Sequence, residues 1–478
     1  MDTPPDRLRF QPGSFEPAAH FYPRCLNAQL HPLVRFFLRM GNDRIAERYL
    51  HLRPGVDPAA LHRALGRQNQ TFRWAGADLF CTTNEDGVRR LVVVETNSCP
   101  SGQKSMPLLD EHEEQGGYRT LIERAFLPSL PRRGIDGGLA VLWDKNPMES
   151  LGYARVIADL TGEPVDAVYL PPGRQEDDIR FRDGILELRG EGGWRPIRAA
   201  LRYVTQRPWD RIPAVTRTHL FNPVLACLAG GRNKMLAAKA YDWHNADLRP
   251  SGLAIQIPET IRDVPLAEVP RWVRRLGGLA VVKDPYSNAG QGVWPITNPG
   301  ELEAFMALPQ RYDRFIVQAL VGNVRWSSEG RFGRLFHLGT IPDRNGAIFV
   351  VDLRVMVGSG PEGYFPVAIY ARRARAPLAT DLDTGASAWE MLGTNLSVRQ
   401  GVGAWTSETD RLLLMDQRDF NKVGIGLDDL IEAYLQTILA VTAIDRVAAE
   451  LVTRRGRFRT RHFRSINPDN ALIEEMCR

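Results

Sequence analysis

Apolar residues fall in short runs along most of this chain, separated by glycine, proline and polar turns. Leu279 to Val282 predicts a buried strand, which Lys283 ends. Asp284 to Gly292 reads as a loop, and Val293, Trp294 and Ile296 resume an extended pattern. Gly138 to Trp143, Val165 to Leu170, Ile185 to Leu188 and Ala199 to Val204 read as four more strands. With a helix over Pro147 to Leu160, they predict a small doubly wound unit. Arg314 to Leu320, Ile348 to Val357 and Tyr364 to Ala371 are further strands. His31 to Leu50 and His219 to Ala229 read as helical. Leu427 to Val452 predicts a long amphipathic helix with Leu430, Tyr434, Ile438, Val441 and Ile444 on one stripe. Residues 1–30, rich in proline and aromatics, are expected to wrap a surface.

Candidate chemistry sits on these elements. Ala75 to Thr82 reads as a strand carrying Asp78, Asn84 to Gly87 as a hairpin turn, and Leu91 to Glu95 as the returning strand. Glu95 and Asn97 are two apart and so share a side of an extended strand, with Asp78 brought near by pairing. Two carboxylates and a carboxamide make an oxygen-only site suited to magnesium. The competing interpretation is a polar strand end with a capping Asn97. Lys283 followed by Gly290 and Gly292 suits a flexible lid over a polyphosphate, since glycine lets successive N–H groups turn toward one anion. An ordinary glycine hairpin with a surface lysine has the same pattern. Asn233 caps a helix whose first turn holds Lys234, a placement the helix dipole disfavours unless an anion lies there. Asp352 and Arg354 alternate with apolar neighbours, and Arg372 and Arg373 end the next strand. Asn395 precedes a loop with Gly401 and Gly403. Arginines beside an Asn and a glycine loop suit phosphate oxygens. Arg354 could equally pair with a core carboxylate such as Asp352.

Length and composition narrow the choices. At 478 residues the chain is expected to form two to four lobes. Apolar residues make up 44% and charged residues 24%, which is globular usage. Net charge is +5, and six of the eleven residues from Arg454 to Arg464 are arginine. A solvated segment or a grip on an anionic ligand is favoured there over a nucleic-acid tail. The five cysteines form no CxxC pair, which predicts a reducing compartment rather than a disulfide framework. A polar, acidic N-terminus and the lack of an apolar run of about 18 residues predict a cytoplasmic protein without membrane contact. GxxxxGK[ST] and GxGxxG do not occur, so those nucleotide motifs are unsupported.

Taken together these patches resemble a family. Asn233-Lys234, Val281-Val282-Lys283 with Gly290 and Gly292, and Val317-Gln318-Ala319-Leu320 are similar to the nucleotide half of ATP-grasp ligases. Asp352-Leu353-Arg354, Arg372 and Thr394-Asn395-Leu396 with Gly401 and Gly403 resemble the strands that follow in carboxylate–amine ligases of that family. There a helix comes next, then a strand with an Asp, a DG turn, and a strand ending in Glu-x-Asn before a proline-glycine loop. Here the helix is Leu427 to Val452, and the remaining pieces lie at the other end of the sequence. They are Asp78, Asp86-Gly87, Glu95-Thr96-Asn97 and Pro100-Ser101-Gly102. This order resembles the circularly permuted, glutathionylspermidine synthetase-like branch.

The resemblance implies an α/β fold with α+β ATP-grasp lobes in permuted order and an added small pre-ATP-grasp-like α/β domain. Residues 1–130 would form the N-terminal segment and metal-binding part of the core, and 131–232 the added domain. Residues 233–322 would form the nucleotide lobe, and 323–478 the remaining core with a basic tail. It implies ATP and one or two magnesium ions. Lys234 and Lys283 would hold the α- and β-phosphates under a lid of Gly290 and Gly292. Gln318, Ala319 and Leu320 would hold adenine, with Asn395 also in the nucleotide site. Asp78, Glu95 and Asn97 would bind magnesium, and Arg354 with Arg372 the transferred phosphoryl group. The implied reaction joins a small carboxylate to an amine or short peptide through an acyl phosphate. The family often carries Glu where this chain has Gln318. A nucleotide-binding protein without turnover, a small-molecule kinase, and an RNA-binding protein using Arg454 to Arg464 are the alternatives.

Overall fold

The computed structural model describes residues 5–110, 112–131, 134–173, 178–287, 291–330, 333–382, 387–399 and 405–476. The protein is a mixed α/β molecule built on three main sheets. The central sheet is antiparallel, in the order Arg89–Ser98, Trp74–Thr83, Val351–Gly360, Gly363–Arg373 and Leu412–Leu413. Phe336–His337 extends it beside the end of Trp74–Thr83. Its strands therefore come from two stretches far apart in sequence. Trp74, Ala75, Ala77 and Leu79 are all fully buried, so this strand is covered on both faces rather than alternating.

One cover is the helix Leu427–Glu450, which packs on the strands of the hairpin and on Val351–Gly360. The expected apolar stripe is in fact a largely buried rod, with Leu430 through Asp445 inside except for Glu432. Near its end, the Asp445 carboxylate accepts hydrogen bonds from the backbone N–H groups of Thr71 and Phe72, both at 2.9 Å. Arg67 pairs with the same carboxylate at 3.4 Å. The chain entering strand Trp74–Thr83 is thus fastened to a helix more than three hundred residues later.

The second sheet runs Arg7–Phe10, Val165–Tyr169, Gly138–Trp143, Gly193–Tyr203, Ile185–Gly190 and Ile179–Arg182, with His219–Phe221 also beside Gly193–Tyr203. Three expectations change here. Residues 7–10 do not wrap a surface but form an edge strand antiparallel to Val165–Tyr169. The unit is not doubly wound. Among the described residues Pro147–Thr161 is the one helix that crosses between its parallel strands, while Ile185–Gly190 and Gly193–Tyr203 are too close in sequence for a crossover and pair as a hairpin. His219 to Ala229 begins as a strand, because Asn222 at φ 56° and Pro223 interrupt any helix. Asn222 instead accepts from the N–H groups of Arg73 and Trp74, at 2.9 and 3.0 Å.

The third sheet is small and antiparallel, in the order Thr260–Pro265, Arg314–Ala319, Ala280–Lys283 and Val293–Ile296. It has its own core of Val264, Val269, Val282, Ile296, Phe305 and Phe315. All six arginines of the basic stretch are exposed, as expected of a solvated segment, while its helix Thr460–Ile466 buries Phe463. The next residue, Asn467, donates to the Tyr286 hydroxyl at 3.0 Å behind the Lys283 loop. Among the described residues no helix is long and apolar enough to cross a membrane.

Replacing Asp445 with Ala leaves two buried N–H groups and Arg67 without their acceptor. The expected cost is about 3 kcal/mol, seen as a lower urea midpoint at unchanged slope. A midpoint within error of wild type would show that the helix does not fasten the hairpin.

Candidate active site

Strand alternation decides which side chains of the small sheet reach the centre of the molecule. Ala280 and Val282 enter the lobe's own core, so Val281 and Lys283 face the other way. Lys283 is only 6% exposed. Its Nζ donates to Gln318 Oε1 at 2.6 Å, and Gln318 Nε2 donates in turn to Thr260 Oγ1 at 2.8 Å. Burial lowers the Lys283 pKa to about 8, with Glu95 opposing and Lys234 reinforcing the shift. The following loop is closed by the Asp284 N–H donating to the Gly292 carbonyl at 2.7 Å. Gly292 has φ +61°, and a Cβ there would meet Asp284 Cβ at 2.6 Å. Gly290, and likewise Gly401 and Gly403, lie outside the described residues.

Asn233 caps the helix Lys234–Leu248 by accepting from the Leu236 N–H at 3.1 Å. Lys234 joins the helix start to the glycine loop, with its backbone N–H on Pro285 O at 2.9 Å and its ammonium on Ser287 O. The same ammonium lies 3.3 Å from Glu95 Oε1, the contact that bridges the small sheet's loop to the central sheet.

On the central sheet, register lines up the charged residues. Glu95, Asp78, Arg354 and Tyr370 sit directly opposite one another across four neighbouring strands. In a second row Asp352 faces Arg372. Asp78 accepts from Arg354 Nε and Nη2 at 2.5 and 2.6 Å, and pairs with Arg372 at 3.0 Å. Arg372 also grips Asp352 with two donors. The partner of Arg354 is therefore Asp78, not Asp352, because cross-strand neighbours are closer than residues two apart on one strand. Burial acts to raise the Asp78 pKa, but Arg354 and Arg372 outweigh it and hold the carboxyl below the usual range. For Asp352 burial prevails over Arg372 and the pKa lies above that range.

All these groups converge on one cavity of about 240 Å³. Asp78, Glu95, Asn97, Lys234, Lys283, Gln318, Ala319, Leu320, Arg354, Arg372 and Asn395 line it. Val281, Val293, Pro295, Trp389 and Leu392 add an apolar slot beside residues 318–320. Two further cations went unnoticed in the sequence. Arg232 donates to Asn97 Oδ1 at 3.0 Å and to Ser98 O at 2.8 Å. Lys145 follows the strand Gly138–Trp143 and lines the cavity from the second sheet. A lysine just past a buried strand is the signal that singled out Lys283, and it applies to Lys145 as well. None of the residues from Arg454 to Arg464 lines this cavity. Cys99 does, but its Sγ donates to Arg202 O at 2.8 Å and burial raises its pKa, so the thiolate is disfavoured.

Among the described residues there is no cluster of three or more His, Cys, Asp or Glu able to hold a metal. Glu95 is a hard oxygen donor on the cavity wall and suits a cation that takes its other ligands from phosphate and water, while both oxygens of Asp78, opposite it across the hairpin, are held by Arg354 and Arg372. Asn97 presents its amide differently: Oδ1 is engaged by Arg232, and Nδ2 is buried without a partner among the described residues.

No protein-family profile matches the chain, and no curated protein sequence does. Among solved structures it is similar to a glutathione synthetase-like effector from Globodera pallida, with 10% identity and a TM-score of 0.38 over 71% of this chain and 81% of that one. It is similar to a RimK-domain ATP-grasp protein from Sphaerobacter thermophilus, with 16% identity and a TM-score of 0.27 over 48% and 89%. A third is D-alanyl-alanine synthetase A from Vibrio cholerae, with 10% identity and a TM-score of 0.28 over 55% and 95%.

Burying Lys283 makes stability depend on pH. Below about pH 8 both folded and unfolded chains hold its proton, and folding bears the full cost of the buried charge. Between pH 8 and the ordinary value of 10.5 the unfolded chain holds more protons, so stability rises with pH. Urea midpoints from pH 7 to 10.5 should climb more steeply for wild type than for Lys283→Met. Equal slopes would mean that Lys283 is hydrated as an ordinary surface lysine.

Proposed function

We propose that this protein is an ATP- and magnesium-dependent ligase of circularly permuted ATP-grasp architecture. It joins a carboxylate to an amine through an acyl phosphate and releases ADP and phosphate. The observation that carries this reading is the cavity itself, where two lysines of one wall face a row of acids and arginines on another, with an apolar slot alongside. The permutation is supported by a central sheet whose strands come from residues 74–98 and 336–413, joined by the helix Leu427–Glu450. In this reading residues 1–130 and 323–478 make the core, 233–322 the nucleotide lobe, and 131–232 the added domain.

Each group has a role that its surroundings support. Lys283 and Lys234 neutralise the polyphosphate beside the turn at Gly292, and the expected role of Gly290 falls outside the described residues. The adenine ring lies in the slot of Val281, Val293, Pro295, Trp389 and Leu392 beside Gln318, Ala319 and Leu320, with Asn395 at its edge. The Leu320 N–H is held by Ser328 Oγ at 2.7 Å and the Ala319 N–H by Glu259 O at 2.8 Å, and both ends of the Gln318 amide are engaged, so base recognition falls mainly to the apolar walls. Asp78 and Glu95 would hold magnesium, with Asn97 beside them, and the ion supplies charge neutralisation on the phosphates. Arg354 and Arg372, locked by Asp78 and Asp352, present fixed positive charge to the transferred phosphoryl group, the kind of preorganisation that lowers a phosphoryl-transfer barrier without reorganisation. One observation favours a second reading, a nucleotide-binding protein without turnover. Asp78 is engaged by two arginines and would have to loosen them to reach a metal.

The test is magnesium-dependent release of ADP and phosphate with pooled carboxylates, with and without amines. Substrate-stimulated turnover should fall about 100-fold or more in both Glu95→Gln and Lys283→Ala. Phosphorylated product without any need for an amine would identify a kinase. Tight nucleotide binding without turnover would favour the second reading, and absence of nucleotide binding would sink the assignment.

A further inference from the structure

Past Arg354 the cavity is closed by the second sheet. Lys145 and Tyr203 line it there, and both lie at the carboxyl ends of parallel strands, since Trp143 pairs in register with Tyr203. Ligands of open α/β sheets collect at such ends. Of the acids around this wall, Glu149 is fully engaged, while Asp144 keeps one buried oxygen, Oδ1, without a partner among the described residues and does not line the cavity. Glu149 is fully buried and accepts from the N–H groups of Gly102 and Gln103, both at 2.8 Å, from Ser101 Oγ at 2.7 Å and from Asn146 Nδ2 at 2.6 Å. Asp144, next to Lys145 in sequence, turns its Oδ2 to the N–H groups of Thr205 and Gln206 and to Arg211. Lys104 is held by Asn146. The half-buried Lys145 ammonium makes no hydrogen bond or ion pair among the described residues; Arg232, Arg354 and Lys104 are close enough to repel it and Asp144 to attract it. An anion bound in the cavity would give this ammonium the directly hydrogen-bonded partner it lacks.

We propose that Lys145 binds a carboxylate of the substrate other than the one that is activated. The substrate class is then an acid with at least two carboxylates, such as an acidic amino acid or a peptide recognised at its non-reacting carboxylate. This rests on the ligase reading for which carboxylate reacts, but not for the binding at Lys145. Arg354 and Arg372, fixed by Asp78 and Asp352, face the phosphoryl side, while Lys145 reaches in from a different sheet. One substrate spanning both would account for a cavity walled by all three sheets. Burial also lowers the Lys145 pKa to about 8, with Arg232 reinforcing the shift, so its free amine is available to acylating reagents near that pH.

The experiment uses the full chain with glutarate and butyrate as probes, by calorimetry in the presence of magnesium and a non-hydrolysable ATP analogue. Glutarate should bind at least about tenfold more tightly than butyrate. Lys145→Met should lose that margin at unchanged nucleotide affinity, and Lys145→Arg should keep most of it. In wild type without nucleotide, acetic anhydride at pH 8 should acetylate Lys145, and glutarate should slow this where butyrate does not, read by peptide mass spectrometry. Equal binding of the two acids, full glutarate affinity in Lys145→Met, or unprotected acetylation would overturn the proposal. Loss of nucleotide binding with glutarate protection intact would instead strike the ligase reading and leave the Lys145 site standing.

Discussion

The register of the central antiparallel sheet is the constraint on which the site depends. Because each strand places alternate residues on one face, a single register brings Glu95, Asp78, Arg354 and Tyr370 into one row and Asp352 with Arg372 into the next. A slip of one residue would turn every one of these groups to the opposite face, into the apolar packing under the long helix. Burying four charges is expensive, and replacing such groups with hydrophobic residues is often neutral or stabilising. Here the arrangement makes a fixed electrostatic surface, with Tyr370 OH donating to Ser101 O at 2.8 Å and tying the surface to the loop after Asn97.

That surface meets a second one built on different principles. The small sheet has a separate core, and it reaches the centre through Lys283 and the loop that follows. Lys234, on the helix start held to the loop after Lys283, meets Glu95 of the hairpin across the gap. An ion pair of 3.3 Å with one partner 27% exposed is the kind of contact that a charged ligand can exchange for its own. The buried pairs of Asp78 and Asp352 are bidentate and far harder to exchange. The cavity therefore has one firm wall and one adjustable wall.

Much of the architecture was legible because its signals are local. The hairpin of Asp78 and Glu95 follows from two apolar strands around an Asn-Glu-Asp-Gly turn, and the small sheet's strands follow from short apolar runs. Helix and strand cannot be told apart by periodicity in a short apolar run, so the pattern of His219 to Ala229 predicts a helix that Asn222 and Pro223 interrupt. Edge pairing leaves no local signal, so nothing in residues 7–10 marks them as a strand.

By itself the sequence determined which residue types could do chemistry and where the chain turns: a lysine closing a strand, a Glu-x-Asn strand end, arginines alternating with apolar residues. Those depend on spacing along one segment, and spacing is written in order. Only the tertiary structure decided their partners. It assigned Arg354 to Asp78 rather than Asp352, gave Arg232 the Asn97 carbonyl, and brought Lys145 from a separate sheet into the same cavity. Pairing across strands far apart in the chain depends on register and on the burial that enforces it, and neither leaves a pattern in any single stretch of sequence.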